Sequence, residues 1–451
     1  MEAHAETLPA LAESNTAPAA LPPRPDLSRF MMGVGFMVMP TRFLEACQRR
    51  CGEYFTLRPA PGRVLVVTSD PDAVKQVFTG DPDLLYAGEG NAVLAPILGS
   101  GSVLLLDGAE HMRHRRLLLP PFHGERMRRY GELMTEVAER HVAAWPSGRR
   151  FAVIQSMQAI TLEVIMRAVL GVDDRERATP LAPPLRRLLD MVASRRRMLV
   201  LALSGERNGP RSPWARFLAA REQAVALLES EIRTRRADPA PGERDDVLSM
   251  LLSARDEDGA PLSDSELRDE LMTLLVAGHE TTATSLAWTL ERVARTPRVL
   301  DRLQAERREG GDEYLEAVVK ESLRLRPVVP AVARRLQAPM RFGPWDLPAG
   351  VHIAPSIYLL HRRPDLYPQP DEFRPERFLE RPPGTYEWIP FGGGVRRCLG
   401  ASFALFEMKT VLGAVLGQVR VRRSRRRGEG TTRRAITFAP SRGGRIVVDR
   451  A

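Results

Sequence analysis

The segment FGGGVRRCLG, residues 391–400, constrains the fold more than any other stretch of the sequence. Three consecutive glycines allow a tight turn, because glycine readily adopts positive φ angles. An apolar run, ASFALFEMKTVLGAVLG, follows directly and predicts a helix. Cys398, one of only three cysteines in 451 residues, therefore lies between a glycine turn and a helix start. The fold must accommodate a cysteine in this unusual position.

The remaining sequence predicts one large α-rich domain with small β-sheets at its edges, an α+β fold. Helical patterns dominate from 109 to 325, while the segments 54–69 and 342–357 and the C-terminal residues have the composition of short strands. Residues 1–26 are rich in Ala, Pro and Glu and predict a disordered tail, leaving 27–451 as a single domain.

Two segments have less ordinary patterns. The apolar run at 30–39 is shorter than the roughly 20 residues of a membrane span, which favours a core or interfacial helix. Residues 81–107 are Gly-rich and apolar and predict a long loop, and loops of that length are usually functional or act as lids.

The composition limits the classes of partner. The net charge of +10 comes almost entirely from arginine, and aromatic residues make up only 6% of the chain without a base-stacking pattern. We therefore expect no nucleic-acid partner. Cys47 and Cys51 are one helical turn apart, which indicates helix positions rather than a metal knuckle. Sparse cysteine and the lack of a recognisable signal peptide favour a cytoplasmic protein without a membrane span.

Cys398 could have several chemical roles. A catalytic cysteine needs a histidine base and an orienting group, which the sequence alone does not exclude. A phosphate loop would need a following Gly-Lys-Ser/Thr, which is missing here. A thiolate metal ligand fits better, because free amides and the helix dipole at a helix N-terminus favour thiolate over thiol. For a single cysteine ligand, haem is the natural partner.

This segment resembles the haem-binding signature of the cytochrome P450 superfamily, Phe-x-x-Gly-x-Arg-x-Cys-x-Gly. Its fixed positions are filled by Phe391, Gly394, Arg396, Cys398 and Gly400. The resemblance implies a triangular helical body around a buried haem b, with Cys398 as the axial iron ligand. It also implies that Phe391 packs against the sulfur and that Arg396 pairs with a haem propionate, although many soluble bacterial members have histidine at that site.

A second segment, residues 269–293, predicts a long buried helix with polar residues in its middle. Thr281 follows Ala277 by four residues, so its hydroxyl can bond the Ala277 carbonyl and locally open the helix. Gly278 removes a side chain beside that opening. The pattern therefore predicts a small groove with a hydroxyl and a carboxylate next to it.

The sequence AGHETT in this helix resembles the oxygen-activation motif of the same family. By that resemblance Thr281 and Glu280 are catalytic: Thr281 hydrogen-bonds dioxygen at the haem, and Glu280 feeds a proton relay. Ala277 and Gly278 would border the cofactor. The motif leaves the position of His279 variable, so no role is expected for it.

Three further residues are implied to be structural. Glu321 and Arg324 form a Glu-x-x-Arg pair on a predicted helix. Arg377 lies in the segment RPERF, between that helix and Cys398. In the family, the corresponding residues form a buried ionic triad that supports the cysteine loop.

The resemblance also suggests contacts to the haem propionates. His111 and Arg115 lie four residues apart in HMRHRR and would face the propionates, the alternative being a solvated basic face. Arg334 matches a further propionate contact, with Arg335 as the adjacent competitor.

The resemblance implies an O2-dependent enzyme that hydroxylates or epoxidises a hydrophobic substrate such as a terpenoid, steroid, fatty acid or polyketide. The pocket would be lined by 81–107, 181–217, the Leu271–Thr282 helix face and 327–333. No flavin or nicotinamide motif is present, so electrons would come from a separate ferredoxin or flavodoxin with its NAD(P)H reductase. The protein is expected to be a monomer.

The electron donor would dock on a basic surface. The candidate is the face around Arg113, Arg116, Arg126 and Arg128, whereas the arginine cluster at 420–434 predicts an exposed hairpin loop. Three alternatives stay open: a haem-thiolate sensor or carrier, a cysteine-dependent hydrolase or structural protein without haem, and a peroxide-driven hydroxylase.

Overall fold

A computed structural model describes most of the chain. It covers residues 21–450 except 61, 123–125, 172–182, 189–190, 192–208, 210–211, 238–243 and 435. Most of the predicted N-terminal tail and much of the 181–217 segment therefore lie outside the described residues.

The described chain is mainly helical, as the sequence predicts. Its helices include α1 (Arg29–Val38), α2 (Pro40–Cys51), α3 (Pro71–Thr79), α4 (Ala95–Leu98), α5 (Gly108–Leu118), α6 (Arg126–Ala143), α7 (Ile154–Leu170), α8 (Pro213–Arg236), α9 (Val247–Ser253), α10 (Asp264–Arg295), α11 (Pro297–Glu309), α12 (Glu313–Leu325), α13 (Ile357–Leu360), α14 (Arg377–Glu380) and α15 (Ala401–Gln418). Short 3-10 helices cover Glu89–Leu94, Pro120–Phe122 and Gly394–Arg396.

The strands form small sheets around this helical body. They are β1 (Tyr54–Ala60), β2 (Arg63–Thr68), β3 (Leu85–Tyr86), β4 (Arg150–Ala152), β5 (Arg334–Leu336), β6 (Met340–Phe342), β7 (Trp345–Leu347), β8 (His352–Pro355), β9 (Val419–Arg423), β10 (Thr431–Arg434), β11 (Thr437–Pro440) and β12 (Arg445–Arg450). The largest sheet has the order β1-β2-β8-β5-β3, a second has the order β4-β12-β9, and β6-β7 and β10-β11 are two-stranded.

Local sequence signals account for several of these elements. The segment 54–69, predicted to contain short strands, forms the hairpin of β1 and β2, in which Tyr54 pairs with Thr68 in antiparallel register. Asp70 caps the start of helix α3, because its side chain accepts a hydrogen bond from the Asp72 amide. Helix α2 ends at Gly52, whose φ of 86° is accessible mainly to glycine.

Helix α10 is the central element. A capping box between Ser263 and Glu266 starts it, and it continues unbroken for 32 residues. Its apolar side chains are buried against α7 and join one large hydrophobic cluster with α6 and α15. Trp288, at 1% exposure, is the largest buried side chain of the helix. This burial fixes α10 in the middle of the helical body.

Two predictions were wrong in detail. Residues 81–107 are not one loop, because they contain β3, a 3-10 helix and α4, and the Asp269 side chain of α10 accepts a hydrogen bond from the Gly101 amide. Residues 420–434 are not a simple exposed hairpin loop. Strand β9 pairs with β12 and strand β10 pairs with β11, so the two ends of the segment belong to different sheets.

Helix α1 packs on the body by one side only. Phe36 contacts Phe43 with ring centroids 6.1 Å apart. Phe30 and Met31 on the other side are 79% and 55% exposed, and no residue of the helix is buried. The sequence predicted either a core or an interfacial helix here, and the prediction of a core helix is therefore wrong. Among the described helices, none combines the length and apolarity needed to cross a bilayer.

Candidate functional site

The cysteine loop is shaped by glycines in a conformation that disfavours most other residues. Gly392 and Gly394 have φ angles of 69° and 63°. A Cβ atom on Gly394 would lie 2.0 Å from the carbonyl oxygen of Phe78 in α3. The Cys398 amide donates a hydrogen bond of 2.9 Å to the Phe391 carbonyl, which closes the loop. The glycine run thus allows the loop to press directly on α3.

Cys398 precedes the first residue of α15, Ala401, by three positions, and its sulfur accepts a hydrogen bond from the Gly400 amide. The side chain is solvent-accessible, yet burial is the largest influence on its pKa. The sulfur therefore faces a space inside the molecule rather than bulk solvent. Such a position fits a ligand that approaches the sulfur from within the protein.

The expected lowering of the Cys398 pKa is wrong for the polypeptide alone. Burial raises the pKa, and it outweighs the Gly400 amide and the positive charges of Arg115 and Arg397, which lower it. Burial therefore opposes the effect of the helix end and the two guanidinium groups on this sulfur. A metal ion bound to the sulfur would supply the missing stabilisation, because a coordinated thiol is deprotonated.

The middle of α10 has an accessible face between the buried stretches 269–273 and 282–291. Ala277 is exposed and Thr281 is partly exposed, one turn apart. The Thr281 hydroxyl donates a hydrogen bond of 2.7 Å to the Ala277 carbonyl oxygen, as predicted. The helix remains continuous through this bond.

Gly278 has a different role from the one predicted. A Cβ atom at this position would lie 3.0 Å from Cδ1 of Ile165 in α7. The glycine therefore allows α7 and α10 to pack closely, and it does not create the groove beside Thr281. His279 is buried on the same helix, and its Nδ1 lies 2.9 Å from the Thr161 hydroxyl oxygen. That contact agrees with a structural rather than a functional histidine.

The carboxylate of Glu280 is held by two donors from other elements. Gln158 of α7 donates to one oxygen at 2.7 Å, and Arg434 of β10 donates to the other at 3.2 Å. The Glu280 side chain is 14% exposed and that of Arg434 is 21% exposed. Glu280 is thus oriented by the arginine-rich C-terminal segment, a contact that the sequence did not indicate.

Four basic side chains predicted to contact propionates converge in the structure. His111 is 3% exposed, and burial, reinforced by the charges of Arg396 and Arg115, lowers its pKa to about 3. Burial and the charge of Arg396 lower the pKa of Arg334 to about 10. These mutual effects require the groups to be close together. The solvated alternative for this part of α5 is therefore wrong for His111.

This cluster has more positive than negative charge. Burial lowers the pKa of Arg396, and the nearby Asp107 carboxylate offsets only part of this effect. The pKa of Arg396 is therefore about 10. Three buried or half-buried guanidinium groups with one carboxylate form a favourable site for a dianion, because arginine binds carboxylates through strong charge-assisted hydrogen bonds. The residues present therefore fit the two propionates of a haem.

The structure distinguishes the two neighbouring arginines of β5. Arg335 forms an ion pair with Glu89, and its side chain is 42% exposed. Arg334 is 6% exposed, on the side of the basic cluster. Only Arg334 therefore lies with His111 and Arg396.

Arg396 already has partners within the protein. Its Nη2 donates to Asp107 Oδ1 and to the Leu106 carbonyl oxygen, both at 2.5 Å. Its Nη1 donates to the Val103 carbonyl oxygen at 3.2 Å. The arginine thus ties the cysteine loop to the segment that precedes α5.

The predicted basic docking face is partly neutralised. Arg113 forms ion pairs of 2.6 Å and 2.7 Å with Asp256 and Glu266, and Arg116 pairs with Glu257 at 2.5 Å. These arginines therefore contribute less free positive charge than the sequence indicated. Arg128 is exposed as expected, whereas the side chain of Arg126 lies outside the described residues.

The three residues expected to form a triad are in direct contact. Arg324 donates two hydrogen bonds to the Glu321 carboxylate, at 2.6 Å and 2.9 Å. Arg377 donates to the same carboxylate at 3.3 Å, and the Arg374 amide at 2.8 Å. Glu321 and Arg324 are both 0% exposed. The geometry matches the expected buried ionic network.

The triad reaches the cysteine loop through the backbone. Arg324 Nη1 donates to the carbonyl oxygens of His361 and Pro370, at 2.7 Å and 2.8 Å. The His361 ring in turn accepts a hydrogen bond of 2.9 Å from the Ile389 amide, two residues before Phe391. Displacement of Arg324 would therefore be transmitted to the start of the loop.

Sequence reasoning missed one buried acid. Glu407 of α15 is 1% exposed, burial raises its pKa well above the usual value, and it shares a hydrogen bond with Thr282. It is the only acidic residue in the apolar run that follows Cys398, and this could have drawn attention to it.

Comparisons with known proteins agree with this geometry. A family model described as Cytochrome P450 matches residues 22–441. A Mycobacterium tuberculosis protein provisionally named cytochrome P450 135B1 is 43% identical over 441 residues, covering 96% of this chain and 93% of its own. Another from that organism, provisionally named cytochrome P450 138, is 40% identical over 432 residues, covering 95% and 96%.

Solved structures have the same fold. The retinoic acid bound cyanobacterial CYP120A1 superposes with a TM-score of 0.84 at 24% identity, covering 96% of this chain and 100% of its own. The cytochrome P450DA heme domain gives a TM-score of 0.83 at 25% identity, covering 96% and 98%.

Proposed function

This chain belongs to the cytochrome P450 family of haem-thiolate monooxygenases, and we propose that it hydroxylates or epoxidises a hydrophobic small molecule with electrons from a separate donor. The observation that carries the proposal is the arrangement of Cys398, whose sulfur faces an internal space and accepts the Gly400 amide hydrogen bond. Haem, when bound, supplies activation of O2 and insertion of one oxygen atom into the substrate.

Haem b would be held at both its metal and its carboxylates. Cys398 would provide the thiolate ligand, and the hydrogen bond from the Gly400 amide would tune the electron density on the sulfur. The propionates would be bound by His111, Arg115, Arg334 and Arg396. The low pKa of His111 keeps its ring neutral, so it binds as a hydrogen-bond partner while the guanidinium groups provide the charge. This assignment is supported by the excess of positive charge that these side chains bring to a buried cluster.

Thr281 and Glu280 would handle protons on the opposite side of the site. The Thr281 hydroxyl hydrogen is directed to the Ala277 carbonyl, so the Thr281 oxygen can accept a hydrogen bond from a protonated ligand. Glu280 directly precedes Thr281 on α10, and Arg434 and Gln158 orient its carboxylate. Thr281 would position the proton, and Glu280 would supply it.

The substrate would be apolar, in the class of terpenoids, steroids, fatty acids or polyketides. The described parts of the expected lining support this, since the 89–98 segment, the face of α10 and residues 327–333 carry mainly aliphatic side chains. Substrate-dependent oxygen consumption with a surrogate redox pair would test the assignment. Oxygen consumption without any product from a broad panel of apolar compounds would contradict it.

The electron donor would be a small acidic protein, a ferredoxin or a flavodoxin with its NAD(P)H reductase. Exposed arginines such as Arg128 and Arg397 support an acidic partner, despite the internal pairing of Arg113 and Arg116. Reduction rates should fall as ionic strength rises, because salt screens exposed charges. Rates that do not depend on salt would contradict this docking mode.

We propose a cytoplasmic monomer as the acting form.

A further inference from the structure

The carboxylate of Asp107 collects donors from two distant segments. Its Oδ1 accepts hydrogen bonds from the amides of Ala87 at 2.8 Å and Gly88 at 2.9 Å, and from Arg396 at 2.5 Å. Its Oδ2 accepts the Glu89 amide at 3.2 Å. Asp107 and Arg396 are 11% and 12% exposed. These bonds are therefore largely protected from water, and a hydrogen bond between charged groups is stronger in such a low-dielectric environment than in water.

Asp107 lies at a position where an aspartate usually caps a helix. It is the N-cap of α5, and an aspartate there normally accepts amides of the first helical turn. In this structure its side chain makes no capping hydrogen bond. The carboxylate is instead directed to residues 87–89. An aspartate serving only α5 would not have this orientation.

Gly88 is adapted to the same contact. A Cβ atom at Gly88 would lie 2.1 Å from the Leu105 carbonyl oxygen and 2.6 Å from Asp107 Oδ2. Any side chain at this position would push the backbone away from Asp107. The absence of a side chain at Gly88 is thus a second feature that permits the Asp107 contact, independent of the charge.

Residues 87–98, here called the pocket-wall segment, extend from this contact. They include the Glu89–Leu94 3-10 helix and α4. At one end, a Cβ atom on Gly90 would lie 3.2 Å from the Ala333 carbonyl oxygen, just before β5. At the other end, Ile97 and Leu98 are buried in the main hydrophobic cluster. The segment therefore lies between the β5 region and the helical body.

Arg396 connects this segment to the haem site. It lies two residues before Cys398 and next to Arg334 and His111 in the basic cluster. The same guanidinium that binds Asp107 would therefore also bind a haem propionate. A change in position of either partner would alter the electrostatic environment of the other.

We propose that Asp107 is a positioning residue that couples the pocket-wall segment to Arg396, so that the haem site fixes the wall against which large substrates bind. The inference rests on the proposed function, because it needs haem on Cys398. It predicts an effect that depends on ligand size. A ligand that occupies only the haem iron does not touch the wall, whereas a bulky one does.

The test uses the haem-loaded full chain and two variants. Asp107→Asn removes the charge, whereas Gly88→Ala keeps all charges and displaces the backbone. Imidazole and the bulky apolar azole econazole serve as probes, and their binding is followed by the change in the haem absorption spectrum. Both variants should weaken econazole binding by about 10-fold or more, equivalent to about 1.4 kcal/mol, and change imidazole binding by less than about 2-fold.

Amide hydrogen exchange provides a readout that is independent of ligands. Exchange at residues 87–89 should rise by about 10-fold or more in both variants. Asp269→Asn is the matched control, because Asp269 accepts the Gly101 amide at 3.0 Å in the neighbouring segment. It should raise exchange at Gly101 and leave residues 87–89 unchanged.

Unchanged exchange at 87–89, or equal weakening of both azoles, would overturn the proposal. If Asp107→Asn does not fold, Gly88→Ala decides the question alone. Failure of this coupling can be distinguished from failure of the proposed function. A wild-type protein that gives no thiolate–carbon monoxide spectrum contradicts the function, whereas a normal spectrum with an unchanged econazole-to-imidazole ratio contradicts only the coupling.

Discussion

The Thr281 hydroxyl donates a 2.7 Å hydrogen bond to the carbonyl oxygen of Ala277 on the accessible face of α10. Thr289, farther along the same helix, makes the same type of bond to the Ser285 carbonyl at 2.8 Å but is fully buried. The two threonines share a local geometry and differ in what their hydroxyl groups face. Thr289 is therefore a matched control for Thr281.

We expect Thr281→Ala to keep haem and substrate binding but to lower the yield of product per electron, with more hydrogen peroxide released. The physical reason is the loss of the hydroxyl oxygen that accepts and positions a proton. Product and peroxide are measured against NADH consumed. Thr289→Ala should leave this ratio unchanged and cost about 1 kcal/mol in unfolding free energy. An unchanged yield in Thr281→Ala would show that the hydroxyl has no such role.

Glu280 and Arg434 form a second informative pair. Glu280→Gln removes the proton donor, and we expect turnover to fall by about 100-fold with a larger solvent isotope effect, since positioned acids contribute roughly 100- to 10,000-fold. Arg434→Gln keeps the carboxylate and removes one of its two donors, so its effect should be smaller. Equal turnover in wild type and Glu280→Gln would rule out the relay.

The buried triad predicts a loss of stability. Glu321→Gln leaves Arg324 and Arg377 without their common carboxylate, and unpairing buried charges costs about 3–5 kcal/mol. Chemical denaturation of the haem-loaded protein measures this. Asp346→Asn, which breaks an exposed pair with Arg341, should cost less than about 1 kcal/mol. Similar costs for both variants would contradict a special role for the triad.

Two buried histidines should affect the pH dependence of stability in opposite directions. Burial, with a contribution from Arg186, lowers the pKa of His279 to about 3. Below about pH 6.5 the unfolded chain protonates this histidine while the folded protein does not. Its contribution to stability is therefore present above pH 6.5 and is lost as the pH falls toward 3.

His114 has the opposite shift. Burial lowers its pKa, but the hydrogen bond and charge of Glu270 outweigh that effect and raise it. Its contribution is present below about pH 6.5 and is lost as the pH rises through the raised pKa. In denaturation measured from pH 4 to 8, His279→Gln should reduce the loss of stability in acid. His114→Gln should reduce the loss at the alkaline end. Identical pH profiles for both variants would contradict these assignments.

Motifs with short spacing were predictable from sequence. The Glu321–Arg324 pair, the Thr281–Ala277 hydrogen bond and the tight cysteine loop each depend on residues within a few positions of one another. Their geometry follows from helix periodicity and glycine conformations, so the sequence was sufficient. The resemblance to the cytochrome P450 family and the α-rich fold with small sheets are confirmed by the comparisons.

Contacts between distant segments were not predictable. Asp107 and Arg396 are 289 positions apart, and Arg434 and Glu280 are 154 apart. No local periodicity relates such residues, so their pairing depends on how whole elements pack. The same limit explains the Gly278 error, because the reason for that glycine is a side chain on another helix. The direction of the Cys398 pKa shift also depended on burial, which a motif does not contain.

The central claim is that Cys398 binds haem iron as a thiolate, and its most direct test is the carbon monoxide difference spectrum of the reduced protein. Wild-type protein should give a strongly red-shifted Soret band, because the thiolate donates electron density to the iron. Cys398→Ser should lose that band, while Cys51→Ser, outside the site, should keep it. A band typical of histidine-ligated haem in the wild type, or a red-shifted band that persists in Cys398→Ser, would contradict the assignment.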